Sequence, residues 1–410
     1  MSTYHTLDNF SASGKRVLLR VDLNIPMQGE KVTDTNRIIK ILPTLKRLSG
    51  AGAKVIILSH FGRPKGEYQS NMSLNKVLPA LRDALGGYNI SFSSDCIGKI
   101  AHANINKMDN GDILVLENLR FHSGEETDDP LFASELASLG DAFVNDAFSA
   151  SHRAHASINS LARLLPSYAG PLLQLELEAL TKALNDPQRP LGAIIGGAKV
   201  STKLELLNNL VKKVDFLIIG GGMANTFLFA RGINIGKSLA EKELAETAKD
   251  IEKIALKSKC KILLQTDAVV AKELIAGQSP EIVAITKIPE DTMILDAGPQ
   301  SAADFSRHLA TCKTIIWNGP LGAFEVAPFD QSTISVAKDV ALYTQNKDIV
   351  SVAGGGDTVA ALTHAGVNEE FSYLSTAGGA FLEWLEGKIL PGIAALQDYK
   401  SRLDLKRPNI

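Results

Sequence analysis

The stretch VSVAGGGDT at Val350–Thr358 passes from an apolar, β-branched segment directly into three glycines. The same transition recurs in the second half of the chain at Ala193–Gly197, Phe216–Gly222 and Leu374–Gly379. Parallel strands have this pattern when each ends in a loop that offers bare backbone amides to phosphate. The repetition therefore predicts a parallel sheet with anion-binding loops.

The first half carries Arg and His at the corresponding strand–loop positions, which are Arg20, Arg37, His60, Arg63, Arg120 and Arg153. Short apolar runs such as Arg16–Val21 and Lys54–Ser59 alternate with helix-patterned stretches such as Arg37–Leu48 and Leu131–Leu139. This alternation is typical of βαβ units, in which helices cover a parallel sheet. Both halves follow it, so we expect an α/β fold with two domains.

Size and composition agree with a two-domain soluble protein. The 410 residues exceed what one hydrophobic core usually supports. A net charge of −2 implies no general attraction to nucleic acid or membrane. The first residues lack a signal-peptide pattern, and no apolar run approaches the ~18 residues of a membrane helix. The cysteines Cys96, Cys260 and Cys312 form neither a CxxC pair nor a metal-ligand pattern, so we expect a reducing cytoplasm.

The segment Pro171–Asn185 has proline at a helix start and leucines at helical spacing, and it stops at the sequence NDPQRP. It is interpreted either as a helix that links the two domains or as an ordinary surface helix of one of them. The pattern alone does not separate the two interpretations.

Four loops of the first half are candidates for one basic pocket. Asp22 and Asn24 follow one predicted strand, and His60 and Arg63 follow another. Arg120 and Arg153 fall at corresponding places, where the carboxyl ends of parallel strands bind ligands. Guanidinium groups match carboxylate and phosphate in bidentate fashion. The alternative is that each Arg pairs with a nearby acid, and Arg20 beside Asp22 is the best case for a purely structural role.

In the second half, GGAKVSTK places Lys199 and Lys203 four residues apart at a predicted helix start. Like charges at this spacing, near the positive end of the helix dipole, are unfavourable unless an anion binds there. A bound polyphosphate would remove both problems. The alternative is screening by Glu205 and solvent.

The glycines of VAGGGDT lead into Asp357 and Thr358 at a second predicted helix start. Glycine allows the backbone to approach phosphate, and the Asp357 carboxylate is a hard ligand for Mg²⁺. The alternative is a tight turn with an Asp cap. A second glycine cluster at Ala377–Ala380 favours phosphate.

Other nucleotide-binding signatures are absent from the sequence. Gly232–Ser238 has three residues between its glycines, where the Walker A motif requires four. No GxGxxG follows the first predicted strand with an acid ~20 residues later, and the protein-kinase signatures are missing.

Nine motifs in this order, RVDLNIP, SHFGRP, ENLRF, NDAFSASHRAHAS, GGAKVSTK, GGGMANTFL, WNGPLGAFE, GGGDT and EGKILPG, closely resemble the phosphoglycerate kinase family from about residue 14 to residue 393. The resemblance implies a hinge-bending monomer that transfers a phosphoryl group from 1,3-bisphosphoglycerate to ADP, in glycolysis and gluconeogenesis. It implies two doubly wound, Rossmann-like parallel-sheet domains joined by a helix and a hinge. The implied boundaries are 1–170 for phosphoglycerate binding, 171–185 for the interdomain helix around Glu176, 186–390 for nucleotide binding, and 391–410 for a segment returning to the first domain.

The resemblance also implies the site residues. The phosphoglycerate site would comprise Asp22, Asn24, Arg37, His60, Arg63, Arg120 and Arg153. The nucleotide site would comprise Gly197, Lys199, Lys203, Gly222, Asn318, Glu325, Gly354, Gly355, Gly356, Asp357 and Thr358, with Glu325 on the ribose and Asp357 on Mg²⁺. The catalytic groups would be Arg37, Lys199 and the amides at Gly355 and Gly378. No general base is expected, because a carboxylate acceptor with a pKa near ~4 is ionised at neutral pH.

Two positions depart from the family pattern. The usual glycine-threonine-alanine before HRAH is Ser149–Ser151, and the first glycine of the usual STGGGA is Ala377. Alanine at residue 377 would be strained if the backbone there required a positive φ. Two other classes stay open from the residues alone: an NAD-binding dehydrogenase, and a non-catalytic protein that binds phosphorylated metabolites.

Overall fold

The computed structural model describes residues 4–347 and 349–404. The chain divides into two compact units between Leu177 and Glu178 and again between Lys388 and Ile389. Among the described residues, the first unit comprises 4–177 and 389–404, and the second unit comprises 178–347 and 349–388. Residues 1–3 of the predicted first domain and 405–410 of the predicted returning segment lie outside the described residues.

The first unit is built on a sheet of six parallel strands. Its strands are β1 (Arg16–Arg20), β2 (Met27–Gln28), β3 (Lys31–Val32), β4 (Lys54–Leu58), β5 (Ile90–Ser93), β6 (Ile113–Leu116), β7 (Ala142–Asn145) and β8 (Ser167–Ala169). Its helices are α1 (Asn36–Gly50), α2 (Leu78–Leu85), α3 (Gly98–Ile105), α4 (Ser123–Glu126), α5 (Pro130–Ser138) and α6 (Ser160–Leu164). The sheet order is β5-β6-β4-β1-β7-β8, and β2 and β3 form a small antiparallel pair.

Side chains of the central strands are buried on both faces of this sheet. Leu19 and Ile57 belong to one hydrophobic core, together with residues of α1 and α2. Leu18 and Ile56 belong to another, together with residues of α3 and α5. A strand that is buried on both faces has apolar residues in succession rather than in alternation. The strands β1 (RVLLR) and β4 (KVIIL) have such sequences.

The second unit repeats this plan. Its strands are β9 (Leu191–Ile195), β10 (Phe216–Ile219), β11 (Lys261–Leu263), β12 (Asp267–Ala271), β13 (Glu281–Ala284), β14 (Met293–Ala297), β15 (Thr314–Asn318), β16 (Val350–Gly354) and β17 (Tyr373–Ser375). Its helices are α8 (Leu204–Leu210), α9 (Gly221–Ala230), α10 (Ala245–Lys257), α11 (Pro299–Leu309), α12 (Gln331–Lys347), α13 (Gly356–Ala365) and α14 (Gly378–Leu385).

Six parallel strands run in the order β11-β10-β9-β15-β16-β17. The prediction of two parallel-sheet α/β domains is therefore confirmed. A three-stranded antiparallel sheet, β13-β12-β14, is an addition that the sequence did not predict.

Two helices begin at prolines where the chain passes between units. The predicted helix after Gly170 is α7 (Pro171–Leu184), and the first division of the chain falls within it. The last helix, α15 (Pro391–Asp404), belongs to the first unit and contacts α6 and β8. Its second residue, Gly392, donates a backbone hydrogen bond to the Ser151 carbonyl at 3.0 Å. No helix of the described residues is long and apolar enough to span a membrane.

A buried carboxylate anchors the start of α12. Asp296, at the end of β14, accepts hydrogen bonds from the backbone amide and the hydroxyl of Ser332 and from the amide of Ala297. Burial raises the pKa of Asp296 to about 7, although these hydrogen bonds favour the charged form. The folded protein therefore keeps this carboxyl protonated at pH values where the unfolded chain has released the proton.

We expect Asp296 to make stability fall as the pH rises from about 4 to about 7. A carboxyl whose pKa is raised by folding favours the folded state below its unfolded pKa and loses that contribution as the pH passes its folded pKa. Relative to Asp296→Asn, the free energy of unfolding should fall by up to about 4 kcal/mol over this range. Urea unfolding followed by tryptophan fluorescence measures it, because Trp317 and Trp384 both lie in the second unit.

Asp186→Asn supplies a matched control, because it makes the same substitution at an exposed aspartate of the second unit. A constant or rising difference between wild type and Asp296→Asn would contradict the assignment.

Candidate functional site

The candidate residues of the first unit follow four neighbouring strands, β6, β4, β1 and β7. Asp22 and Asn24 come after β1, and His60 comes after β4. Arg120 and Arg153 follow β6 and β7. The carboxyl ends of parallel strands meet at one edge of a sheet, so the fold gathers these residues at that edge.

Hydrogen bonds tie the loops after these strands together. The amide of Gly62 donates to the Asn24 side-chain oxygen at 2.9 Å, and the amide of Leu23 donates to the Ser59 hydroxyl at 2.9 Å. Asn118 accepts from the amides of Phe61 and Arg120, both at 3.1 Å. The loops after β1, β4 and β6 are therefore one connected structure.

Arg37 and Asp22 form the central ion pair of this site. The Arg37 guanidinium, near the start of α1, lies 2.7 Å from the Asp22 carboxylate and donates to the Asn24 carbonyl at 2.9 Å. Burial alone would raise the pKa of Asp22, but the Arg37 charge and the hydrogen bonds from Ser149 and the Asn24 amide hold it below its usual value. The Ser149 hydroxyl also donates to Asp22. Ser149 was noted in the sequence only as a departure from the family pattern, and its contact joins the loop after β7 to this site.

His60 is neutral, and its tautomer follows from its neighbour. Arg20 is fully buried and its guanidinium contacts Nδ1 of His60 at 3.1 Å. A guanidinium has no acceptor, so Nδ1 must be the acceptor and Nε2 carries the proton. Burial and the Arg20 charge hold the pKa of His60 well below its usual value. His60 can therefore donate one hydrogen bond from Nε2 without carrying a charge.

Three further arginines add positive charge at the same edge. Arg120 donates to the Gly62 carbonyl at 2.8 Å, and its Nε lies 3.1 Å from the Glu126 carboxylate. Arg63 and Arg153 are exposed. Burial lowers the pKa of Arg120 most, and the charges of Arg153 and Arg63 lower it further. These charges therefore act on one another and favour an anionic ligand.

Beneath this surface, the buried carboxyl group of Glu125 offsets the buried guanidinium of Arg20. Glu125 is fully buried and accepts from the amide and hydroxyl of Ser157, at 2.9 and 2.6 Å. Nε of Arg20 donates to the same hydroxyl at 2.9 Å. Ser157 thus connects the two charged groups, and no local sequence pattern indicated this connection.

Asn318 organises the candidate site of the second unit. It ends β15 and donates from its side-chain nitrogen to the Gly354 carbonyl at 2.7 Å. The next residue, Gly319, donates its amide to the Thr358 hydroxyl at 2.7 Å. The loops after β15 and β16 are therefore held together.

Lys203 joins the loop after β9 to the same centre. Its ammonium donates to the Gly196 carbonyl and to the Asn318 side-chain oxygen, both at 2.6 Å. Burial lowers the pKa of Lys203 to about 8, and the charge of Asp357 opposes that shift. The predicted helix start is displaced slightly, because Ser201–Lys203 form a 3-10 turn and α8 begins at Leu204.

At two positions of this site, only glycine fits without a steric clash. Gly355 has a φ of +102°, and a Cβ there would lie 2.7 Å from the Asn318 side-chain nitrogen. At Gly222 a Cβ would lie 2.5 Å from the Ala198 carbonyl oxygen. By contrast, a Cβ on Gly356 or Gly378 would meet no atom within 4 Å. The space on the Cβ side of these last two glycines is therefore open.

A cavity of about 330 Å³ opens between the loops that follow β9, β10 and β15. Four predicted residues line it, Gly197, Gly222, Glu325 and Asp357. Apolar side chains such as Leu239, Leu274 and Met293 form much of the remaining wall. A largely apolar cavity with polar groups at one side suits a flat heterocycle that carries a charged tail.

Other predicted residues do not line this cavity. Lys199 is exposed in the loop between β9 and the 3-10 turn, and Gly378 begins α14 after β17. Ala377 has a φ of −98°, so alanine fits there without backbone strain.

The donor set at Asp357 fits Mg²⁺. This carboxylate is exposed in the first turn of α13, where the helix also presents free amides. Mg²⁺ in nucleotide sites is usually held by one or two carboxylates and by substrate phosphates, with waters completing its shell. A single exposed acid beside a glycine loop and a helix start meets this requirement.

The chain is similar to a known protein family and to individual relatives. A family model described as phosphoglycerate kinase matches residues 7–388. The chain is 58% identical over 401 residues to the phosphoglycerate kinase of Agrobacterium fabrum (strain C58 / ATCC 33970), which covers 98% of this chain and 100% of that protein. It is 56% identical over 399 residues to the phosphoglycerate kinase of Sinorhizobium fredii, covering 97% and 100%.

Solved structures give the same result. The phosphoglycerate kinase of Coxiella burnetii superposes with a TM-score of 0.90 and 41% identity over 96% of this chain and 99% of that one. The phosphoglycerate kinase of Pyrococcus horikoshii OT3 gives a TM-score of 0.81 and 30% identity over 97% and 100%.

If Lys203 binds nucleotide phosphates as an ammonium, nucleotide affinity should fall as the pH rises above about 8. A phosphate favours the protonated lysine, so the free protein takes up a proton on binding at high pH. The Kd for MgADP should then rise by up to about 10-fold per pH unit above 8. Calorimetry at pH 9 in buffers of different ionisation enthalpy should show uptake of nearly one proton.

Lys203→Arg should remove this uptake, because arginine does not titrate in the range. Lys212→Arg, at an exposed lysine of the same unit, should retain it. Equal proton uptake by wild type and Lys203→Arg would exclude Lys203 as the titrating group.

Proposed function

The chain belongs to the phosphoglycerate kinase family, and on that premise we propose that its first unit binds the phosphoglycerate and its second unit binds the nucleotide. It is a transferase of glycolysis that catalyses reversible phosphoryl transfer from 1,3-bisphosphoglycerate to ADP, giving 3-phosphoglycerate and ATP. This membership excludes the dehydrogenase and the non-catalytic binding protein that the sequence left open.

We propose that the phosphoglycerate binds at the carboxyl ends of the four central strands of the first unit. The observation that carries this proposal is the Arg37–Asp22 pair, surrounded by a neutral His60 and three further arginines. Arginines match both the carboxylate and the phosphate of this substrate. His60 donates from Nε2, and Asn24 and Asp22 have the polar groups to bind a hydroxyl. The full proposed set is Asp22, Asn24, Arg37, His60, Arg63, Arg120 and Arg153.

We propose that the nucleotide occupies the cavity of the second unit, with its phosphates toward Lys203 and the glycine loop. The apolar wall suits the base, and the exposed Glu325 suits the ribose hydroxyls. Asp357 would hold Mg²⁺, which neutralises part of the charge on the nucleotide phosphates. The full proposed set is Gly197, Lys199, Lys203, Gly222, Asn318, Glu325, Gly354, Gly355, Gly356, Asp357 and Thr358.

The chemistry needs positioned positive charge rather than a base. Phosphoryl transfer has a loose transition state with charge spread over the equatorial oxygens. The acceptor in the direction of ATP use is a carboxylate, already ionised at neutral pH. We therefore assign Arg37 and Lys199 to the oxygens of the migrating group, and the amides at Gly355 and Gly378 to the charge that develops there.

Direct transfer requires the two ligands to meet. The two sets of residues lie in separate units, so we propose that the domains close on a hinge. The segments that we propose from the sequence are 1–170, 171–185, 186–390 and 391–410, and the hinge lies where these segments join. We also propose a monomer in the cytoplasm. A reducing compartment suits Cys96, Cys260 and Cys312, which are all buried and unpaired.

Lys199→Ala should lower kcat by roughly 10²-fold or more, the scale for loss of one preorganised donor to a transition state. The assay follows NADH consumption that depends on ATP and 3-phosphoglycerate, coupled through glyceraldehyde-3-phosphate dehydrogenase. Omission of either substrate or of Mg²⁺ should abolish the signal.

The matched control is Lys212→Ala, at an exposed lysine in the same unit, which should keep normal turnover. Near-normal kcat in Lys199→Ala would refute the role of Lys199.

Small-angle scattering tests closure and oligomeric state together. With MgADP and 3-phosphoglycerate both present, the radius of gyration should fall below the values measured with either ligand alone. The forward scattering should correspond to one chain of 43.9 kDa. A radius that never falls would count against closure, and a mass of two chains would count against the monomer.

A further inference from the structure

Three potential metal ligands meet at one edge of the first unit, outside the proposed substrate site. Asp95 and Cys96 follow the edge strand β5, and His122 follows its neighbour β6 after a short 3-10 turn, Leu119–Phe121. Their ligand atoms all lie within 4.8 Å of one another. They form the only group of three or more such residues with this geometry among the described residues.

These atoms lie near enough to one another for one tetrahedral ion to contact all three after small side-chain shifts. Zinc binds oxygen, nitrogen and sulfur at about 2.0–2.3 Å, so neighbouring ligand atoms around it are separated by about 3.3–3.6 Å. Nε2 of His122 lies 2.8 Å from Oδ1 of Asp95, which is a hydrogen bond when no ion is bound. Small side-chain rotations would open this contact enough to admit an ion.

The ligands combine a fixed orientation with access from solvent. The side chains of Asp95 and His122 are 36% and 32% exposed, whereas Cys96 is fully buried beneath them. The His122 ring stacks on Phe132, with centroids 5.3 Å apart and an interplanar angle of 28°. The backbone amide of Cys96 donates to Oδ1 of Asp95 at 2.7 Å, which restrains the carboxylate. The exposed side leaves a fourth position for water.

The local charge also favours a cation. Asp95, Glu125 and Glu117 all lie close enough to the Cys96 thiol to act on it electrostatically. A divalent ion would offset this negative potential and stabilise the thiolate. A thiolate–imidazole–carboxylate set selects zinc-like ions and disfavours Mg²⁺, which prefers oxygen ligands.

We propose that Asp95, Cys96 and His122 form a binding site for a divalent transition-metal ion such as Zn²⁺, with three protein ligands and one water. On binding, the Cys96 thiol releases its proton to solvent, and the imidazole proton moves from Nε2 to Nδ1 so that the Nε2 lone pair faces the ion. No electron is transferred. None of its three ligands belongs to the residues proposed for the substrate and nucleotide sites.

Co²⁺ is the probe, because it occupies zinc sites and reports a bound thiolate by a charge-transfer absorption in the near ultraviolet. Titration of the full-length reduced protein with Co²⁺ should saturate this band at one equivalent per chain, and Zn²⁺ should displace it. Cys96→Ser should abolish the band. Asp95→Asn and His122→Gln, at partly exposed positions that tolerate substitution, should each weaken Co²⁺ binding by at least about 10-fold.

Cys312→Ser and Cys260→Ser are matched controls, because both cysteines are buried and unpaired but lie in the second unit. Both variants should keep the band, and circular dichroism should verify that all variants are folded. Absence of the band in wild type would overturn the proposal. So would its persistence in Cys96→Ser, unchanged affinity in both Asp95→Asn and His122→Gln, or its loss in either control.

Discussion

Arginines gathered at one edge of a sheet repel one another, and acidic partners in the first unit are placed to offset this repulsion. Asp22 holds Arg37 at the surface, and Glu126 lies beside Arg120. Deeper in the unit, Glu125 offsets the buried Arg20 through Ser157. Burying a charged guanidinium costs free energy unless a partner of opposite charge compensates. The buried acid thus allows a guanidinium to sit behind His60 and fix its tautomer.

The second unit meets the same demand with less charge. Its central cation, Lys203, is surrounded by neutral oxygens of Gly196 and Asn318 rather than by a contacting carboxylate. Apart from Lys199, the remaining donors that we propose are mainly backbone amides in loops and helix starts, which carry partial charge without repelling one another. This difference explains why arginine and histidine mark the strand ends of the first half of the sequence, whereas glycine marks those of the second.

The sequence predicted the features that follow from local pattern. Apolar runs followed by glycine or arginine indicated which strands end at the sites, and the proline and leucines of α7 indicated that helix. Long-range contacts have no such pattern. The link from Ser149 to Asp22 depends on β7 lying beside β1, and the cluster at Cys96 and His122 depends on β5 lying beside β6. For this reason Cys96 showed no metal-ligand spacing in the sequence. The antiparallel sheet around β12 was missed because its short strands interrupt a strongly parallel pattern.

The place of α15 in the first unit has a consequence for synthesis. This helix follows the whole second unit in the chain, yet Ala395 belongs to a core of the first unit and Gly392 contacts Ser151 and Ile158 there. During translation the second unit has all its residues before the first unit receives its last helix. The first unit, whose synthesis begins first, therefore cannot complete its core until the whole second unit has been made, because residues of α15 such as Ala395 belong to that core.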